Sequence, residues 1–222
     1  MTVLGLRNCI YSFLFSRIEH LSRKAASCDI CFKEGWVERS FIDLAQPRWV
    51  GSRYWESSFR VVILMLNPGQ GKRKKLSIEQ KKLLHSFRDG GDSLDAVLKF
   101  QREGMEKWGK PPGRFLNFYR DGLGFDLEEI AFVNVAWCAT EGNKYPKRML
   151  DCCFSRHTAR LLEILEPRVV LSSGVKTRRF AAGLSDTPVI KLMHFAHRKG
   201  KEAEMKELER IKKELKALKS VS

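Results

Sequence analysis

An asparagine on a Pro-Gly turn, Asn67-Pro68-Gly69, follows a strand-like apolar run from Arg60 to Ile63. In open α/β sheets, ligands bind outside the carboxyl ends of the strands. The motif therefore predicts that the Asn67 side chain and the backbone amides near Gly69 and Gln70 bind a ligand or take part in catalysis. A strand-to-helix turn without chemistry is the alternative that this motif alone leaves open.

Six cysteines are the second group of residues with possible chemistry. In a non-secreted chain, cysteines are more often thiols or metal ligands than disulfides. Cys28 and Cys31 have the Cys-x-x-Cys spacing, and Cys138 and the Cys152-Cys153 pair follow much later. If the N-terminal loop returns to the second strand, four thiolates could meet and hold structural zinc or an iron-sulfur cluster. Ordinary buried or reactive thiols are the alternative reading of this spacing.

Two histidines, His194 and His197, lie at the end of a predicted strand and are followed at once by cations. An imidazole at this position could donate a hydrogen bond to charge that develops in a transition state. The adjacent basic residues and an earlier basic run are predicted to contact phosphates, and the predicted set is Lys72, Arg73, His197, Arg198 and Lys199. A surface histidine beside a solvated basic tail is the alternative.

The elements that must position these residues alternate as β-α-β-α-β. Apolar runs predict strands over 60–63, 131–135, 168–172 and 189–193, with helical periodicity between them. This alternation predicts an α/β fold, a three-layer sandwich with a central, mainly parallel four-stranded sheet flanked by helices. The turns that carry Asn67, Asn134 and His194 are then expected at one edge of the sheet.

The length of 222 residues and an apolar content of 43% are enough for one substantial core. Residues 1–222 are therefore predicted to form a single domain. Its decorations are an inserted helical segment near 72–110 and a basic C-terminal helix over 199–219.

The formal net charge of +15 is more than a fold requires, and it favours a polyanionic partner, above all nucleic acid. No apolar run approaches the length needed to cross a bilayer, so no membrane association is expected. The apolar N-terminal stretch is interrupted by charged residues and lacks a small-residue cleavage site. The chain is therefore expected to be soluble and cytoplasmic.

Several motifs follow one another in an order that resembles the uracil-DNA glycosylase superfamily. They are Asn67-Pro68-Gly69, Gly113-Arg114-Phe115, Val133-Asn134-Val135, Gly142-Asn143-Lys144-Tyr145-Pro146, Pro167 to Leu171, and a strand that ends at His194. The chain is most similar to the iron-sulfur type, in which Cys-x-x-Cys precedes the first motif. In that type, two later cysteines bracket a Gly-Asn-(Lys/Arg)-x-Pro loop.

The resemblance implies a role for each matching residue. Asn67 would position the water that attacks the sugar C1′, and His194 would stabilise the departing uracil anion. Phe115 would stack on the flipped base and Asn134 would read its Watson-Crick edge, while the amides of Gly69 and Gln70 would line the pocket.

A four-cysteine cluster site is also implied by the resemblance. Its ligands would be Cys28, Cys31, Cys138 and Cys153, holding a 4Fe-4S cluster or, alternatively, structural zinc. Cys152 is the alternative fourth ligand, and Cys153 is preferred because its distance to Pro167 is nearer the spacing usual in the family.

Two motifs depart from the iron-sulfur type. Its members usually carry an acidic residue in the first motif, whereas Asn67 resembles the mismatch-specific and single-strand-selective glycosylases. The last motif is usually His-Pro-Ser, but here it is His194-Phe195-Ala196, which leaves His197 as an alternative catalytic histidine. The segment from Lys72 to Trp108 has no obvious counterpart in the family and could alter substrate choice.

The sequence thus predicts a monofunctional DNA repair glycosylase that removes uracil or another deaminated base from DNA by base flipping and water attack. The expected state is a monomer that associates with the nucleoid when it is bound to DNA. The alternative function is a non-catalytic nucleic-acid-binding protein with the same fold.

Overall fold

Three of the four strands of the sheet are short, largely apolar segments that are buried on both faces. We describe the protein from a computed structural model that covers residues 3–69, 75–109, 111–184, 186–196 and 200–220, with backbone only for 3–10. The strands are β1 (Val61–Met65), β2 (Ile130–Asn134), β3 (Val169–Ser173) and β4 (Val189–Leu192). Every residue of the first three strands is buried, which is the pattern of a parallel sheet covered on both sides.

The strand order in the described sheet is β2-β1-β3-β4. β1 pairs in parallel with β3 through Val61 and Val169, and β3 pairs in parallel with β4 through Val170 and Val189. The predicted fold class is confirmed, because the described residues form a mixed α/β structure with one all-parallel four-stranded sheet flanked by helices. Parallel neighbours need crossover connections, and the helices provide them.

Nine α-helical segments are assigned in the described part of the chain. They are α1 (Val3–Ala26), α2 (Ile30–Lys33), α3 (Lys75–Arg88), α4 (Leu94–Gly104), α5 (Arg114–Leu116), α6 (Lys147–Cys153), α7 (Ala159–Leu165), α8 (Arg178–Ala181) and α9 (Lys201–Lys219). π-helical turns adjoin these helices at Asn117–Gly122 after α5 and at Phe154–Thr158 between α6 and α7. No described helix is both long and apolar enough to cross a membrane.

The chain divides into two compact units, each described here by itself. Unit 1 comprises Met1–Pro47, Asn67–Phe100 and Asn134–Glu166, and unit 2 comprises Arg48–Leu66, Gln101–Val133 and Pro167–Ser222. In unit 1, α1 contacts α3 and α7. In unit 2, α8 packs on β3 and α9 on β4. The prediction of a single domain over 1–222 stays a prediction.

The C-terminal helix α9 packs within unit 2 through a narrow apolar stripe. Ile211 and Leu215 are buried, whereas Met205 remains exposed. The Arg114 guanidinium donates two hydrogen bonds to the Glu204 carboxylate, one of them at 2.7 Å. This bidentate pair ties the start of α9 to α5.

Candidate functional site

The turn after β1 orients the side chain of Asn67. Asn67 is half-buried, and its Nδ2 donates to the Pro68 carbonyl at 2.8 Å and to Asn143 Oδ1 at 3.0 Å. Both amide protons therefore have acceptors. The remaining polar atom, Oδ1, can only accept hydrogen bonds, which is the capacity needed to hold a water molecule.

A buried glutamine contacts the same turn. Gln46 is 2% exposed, and its Nε2 lies 3.4 Å from the Gly69 carbonyl while its Oε1 accepts a hydrogen bond from Gln80 at 3.1 Å. Gly69 itself is exposed, and a Cβ at this position would meet no atom within 4 Å. Steric crowding therefore does not require a glycine at position 69. Gln70 lies outside the described residues.

The loop over 140–146 links Asn67 to a cysteine. Asn143 has a left-handed backbone with φ of 57°, and its N–H donates to the Thr140 carbonyl at 3.2 Å. The Tyr145 hydroxyl lies 3.4 Å from the Cys138 carbonyl. Burial raises the pKa of Tyr145, and hydrogen bonding to Thr140 and Asn67 offsets part of that rise. The loop thus places polar groups of Asn143 and Tyr145 around the Asn67 amide.

Asn134 is a buried amide whose side chain has no hydrogen-bond partner. It is the last residue of β2 and is 1% exposed. Its backbone carbonyl accepts a hydrogen bond from the Thr158 hydroxyl at 2.7 Å, but Nδ2 and Oδ1 have no partner among the described residues. An unsatisfied buried polar group costs roughly 1–3 kcal/mol, so the Asn134 side chain needs a partner that the described residues do not supply.

Five cysteines converge on one cavity in unit 1. They come from the turn after α1, from α2, from the segment after β2 and from α6. The cavity is lined by these thiols, by apolar side chains and by two basic residues: Cys28, Cys31, Cys138, Cys152, Cys153, Ala25, Phe32, Ala45, Met149, Arg156 and His157. The N-terminal Cys-x-x-Cys thus lines the same cavity as the three later cysteines.

The thiols are close enough to perturb one another. Burial, together with the neighbouring cysteine thiols, raises the pKa of Cys31 and of Cys153 to about 12. Burial likewise raises the pKa of Cys138 well above its usual range. The backbone N–H of Trp137 donates to the Cys153 sulfur at 3.2 Å.

An all-sulfur donor set suits soft metal centres. Zinc and iron-sulfur clusters both accept four thiolates, and the five cysteines here exceed that number by one. Within the described residues, however, no three His, Cys, Asp or Glu side chains already have the arrangement that would hold a metal ion. The residue types fit a thiolate-bound group, and the 4Fe-4S assignment stays a prediction.

His194 follows β4 in unit 2 and is exposed. Its Nδ1 accepts a hydrogen bond from the Ala196 backbone N–H at 3.2 Å, so the neutral ring carries its proton on Nε2. The imidazole also lies against the Phe195 ring, with centroids 4.4 Å apart. His194 can therefore act as a neutral hydrogen-bond donor.

Phe115 belongs to a cluster of aromatic rings in unit 2. It is 1% exposed, and its ring centroid lies 4.8–5.2 Å from those of Trp108, Tyr119, Phe132 and Phe195. A base can stack on Phe115 only if one of these rings moves. Phe195 is only half-buried, which makes it the ring with the most freedom to do so.

The predicted site residues are divided between the units. Unit 1 holds Asn67, Gly69, Asn134 and the cysteines, and unit 2 holds Phe115 and His194. The predicted phosphate contacts Lys72, Arg73, His197, Arg198 and Lys199 lie outside the described residues. Among the residues that sequence reasoning gave no role, Gln46, Asn143, Tyr145 and His157 now have identifiable surroundings. Only Asn143 and Tyr145 had a signal, as part of the Gly-Asn-Lys-Tyr-Pro motif.

No model of a protein family matches the chain, and no curated protein matches it either. Function is therefore inferred from the residues and contacts described above.

Proposed function

We propose that the chain is a monofunctional DNA glycosylase of the uracil class. It hydrolyses the bond between C1′ of deoxyribose and the nitrogen of uracil or another deaminated base. The observation that carries this proposal is Asn134, a buried amide without a side-chain partner in the described part of the chain, at the carboxyl end of a parallel strand. A ligand that offers one donor beside one acceptor would satisfy it.

Uracil offers that pattern on its Watson-Crick edge. Asn134 Oδ1 would accept from N3–H of uracil, and Nδ2 would donate to O4. Cytosine presents an amino donor in place of O4, so it would leave the Asn134 amide facing a second donor. A site built to hydrogen-bond one base in this way rejects the other because its own buried groups would stay unpaired. Reaching the base requires that it first be flipped out of the duplex.

Asn67 is proposed to hold the attacking water. Its Oδ1 would accept a hydrogen bond from the water and so direct a lone pair of the water oxygen towards C1′. The new bond forms between the water oxygen and C1′, the bond from C1′ to the base nitrogen breaks, and its electron pair leaves with the base. The water releases a proton, and the base anion finally takes one up from solvent.

His194 is proposed to stabilise the departing base anion. Its Nε2–H would donate to the oxygen on which negative charge accumulates. A neutral imidazole would donate this hydrogen bond without transferring its proton to the base. Phe115 would stack on the flipped base after Phe195 moves aside.

The thiolate site is proposed to hold a 4Fe-4S cluster, or alternatively zinc, with a structural role. When bound, the group would supply cross-links among segments that are distant in sequence, since glycosidic hydrolysis requires no electron transfer. Cys28, Cys31, Cys138 and Cys153 are the proposed ligands. The partner is DNA that contains a deaminated base, bound by a monomer in the cytoplasm with help from the net charge of +15.

The decisive experiment is single-turnover release of bases from defined oligonucleotides. Purified protein in excess over single- and double-stranded DNA with one uracil, hypoxanthine or xanthine should release at least one of these bases and leave an abasic site. An undamaged duplex of the same sequence is the control. DNA binding with every base left in place would contradict the proposal and favour the non-catalytic nucleic-acid-binding alternative.

Asn143 is predicted to support catalysis through Asn67. Replacing Asn143 by glycine removes the acceptor of the Asn67 amide without straining the left-handed backbone, so single-turnover release should slow about tenfold, the value of one hydrogen bond. Asn143→Asp keeps an acceptor oxygen and tolerates the same backbone, so it should stay close to wild type. Equal losses in both variants would contradict this role.

A further inference from the structure

A second cavity in unit 1 is lined by cations. It lies where the end of α1 and the following turn meet the segment that joins α6 to α7. Its lining residues are Leu21, Lys24, Ser27, Cys28, Asp29, Ile30, Arg156, His157 and Arg160. Arg156 and His157 also line the cysteine cavity, so the two cavities are neighbours.

The charges around this cavity are unbalanced. Lys24, Arg156 and Arg160 are exposed, and none of the three forms an ion pair with a carboxylate in the described part of the chain. The cavity has one carboxylate, Asp29, and Lys33 already binds it at 3.0 Å. Three cations thus face a polar cavity without counter-charges, an arrangement that favours an anionic ligand.

A buried histidine adds an independent sign of a ligand. His157 is 8% exposed, and neither ring nitrogen has a hydrogen-bond partner among the described residues. Burial, followed by the charges of Arg156 and Arg160, lowers its pKa to about 4. Even a neutral imidazole has one N–H to donate. An unsatisfied buried donor next to two guanidinium groups would be satisfied by an anion's oxygen atom.

We propose that this cavity binds a phosphate group. Arg156 and Arg160 would contact its oxygens with their guanidinium forks, Lys24 would add a third positive charge, and His157 would donate from the buried side. The phosphate can belong to a nucleic-acid backbone or to a small dissolved anion. The inference does not rest on glycosylase activity.

Calorimetric titration with inorganic phosphate tests the site directly. At constant ionic strength, balanced with chloride, the wild-type protein should bind about one phosphate in a saturable manner. Arg156→Gln and Arg160→Gln, both at exposed positions, should each weaken binding at least about tenfold. Arg168→Gln makes the same charge change at an exposed arginine that does not line the cavity, and it should leave binding unchanged.

Lesion-free duplex DNA separates the two sources of the phosphate. For a backbone phosphate, the slope of log affinity against log salt should fall by about one in Arg156→Gln and not in Arg168→Gln. An unchanged slope together with inorganic phosphate binding that needs Arg156 would identify a small dissolved anion. The proposal is overturned if Arg156→Gln alters neither measurement, or if Arg168→Gln alters both equally. No step uses a damaged base, so these results are independent of the glycosylase test.

Discussion

Uracil release by the Asn67→Ala variant is expected to be on the order of a hundredfold to a thousandfold slower than by the wild-type protein, with DNA affinity nearly unchanged. Alanine removes the Oδ1 acceptor that would hold the water, while the basic residues that are proposed to contact DNA are unchanged. Asn67→Asp keeps an acceptor oxygen at the same position but loses both donated hydrogen bonds, so its rate should lie between those of Asn67→Ala and the wild-type protein. Single-turnover rates and a separate binding titration measure the two effects.

His194→Ala is the variant to compare with Asn67→Ala, because the decrease in its rate of base release should depend on the leaving group. His194 is proposed to stabilise the base anion, so its removal should matter less for 5-fluorouracil, whose electron-withdrawing fluorine stabilises the anion without help. Asn67→Ala should slow both substrates by the same factor. If both variants release uracil at the wild-type rate, the assignment of Asn67 and His194 fails. Equal sensitivity of the two variants to the leaving group would instead contradict their separate roles.

The sheet is predictable because three of its strands contain a short, continuous apolar run, and β4 is interrupted by one lysine only. β1 and β3 read as Val-Val-Ile-Leu and Val-Val-Leu, and such runs are stable only where both faces of a sheet are covered. The predicted bounds differ from those in the structure by one or two residues, which is the usual uncertainty at strand ends. The π-helical turn at Phe154–Thr158 was not predictable, since its backbone pattern depends on packing rather than on apolar spacing.

Residues of the candidate site could be predicted only where they belong to a sequence motif. Asn67, Asn134 and the cysteines have types and spacing that indicate chemistry before any contact is known. Gln46 supports the Gly69 turn through a contact between residues that are 23 positions apart in the sequence. The proposed role of His157 depends on its burial beside two arginines. Neither residue has a local sequence pattern, because long-range packing creates both environments. Asn143 was within a recognised motif, but its hydrogen bond to Asn67 could not be read from the sequence.

Loss of one ligand of the thiolate site is expected to have the largest effect on stability. Cys31→Ser should lose most of the bound iron or zinc and unfold at a temperature lower by about 10 °C, because a metal-thiolate centre contributes its binding energy to folding. Bound metal per chain, visible absorbance and a thermal melt measure these losses without any activity assay. An iron-sulfur cluster gives a brown protein with absorbance in the blue, whereas zinc gives a colourless one.

The adjacent cysteines provide the control, since both variants make the same chemical change one residue apart. Cys153 is buried and accepts a hydrogen bond from the Trp137 N–H, whereas Cys152 is half-exposed, so Cys153→Ser should lose the metal and Cys152→Ser should retain it. The backbone N–H also favours a negatively charged sulfur at position 153, which is the form that a metal requires. The opposite result would make Cys152 the fourth ligand. Full metal content in Cys31→Ser and in both of these variants would exclude the thiolate centre altogether.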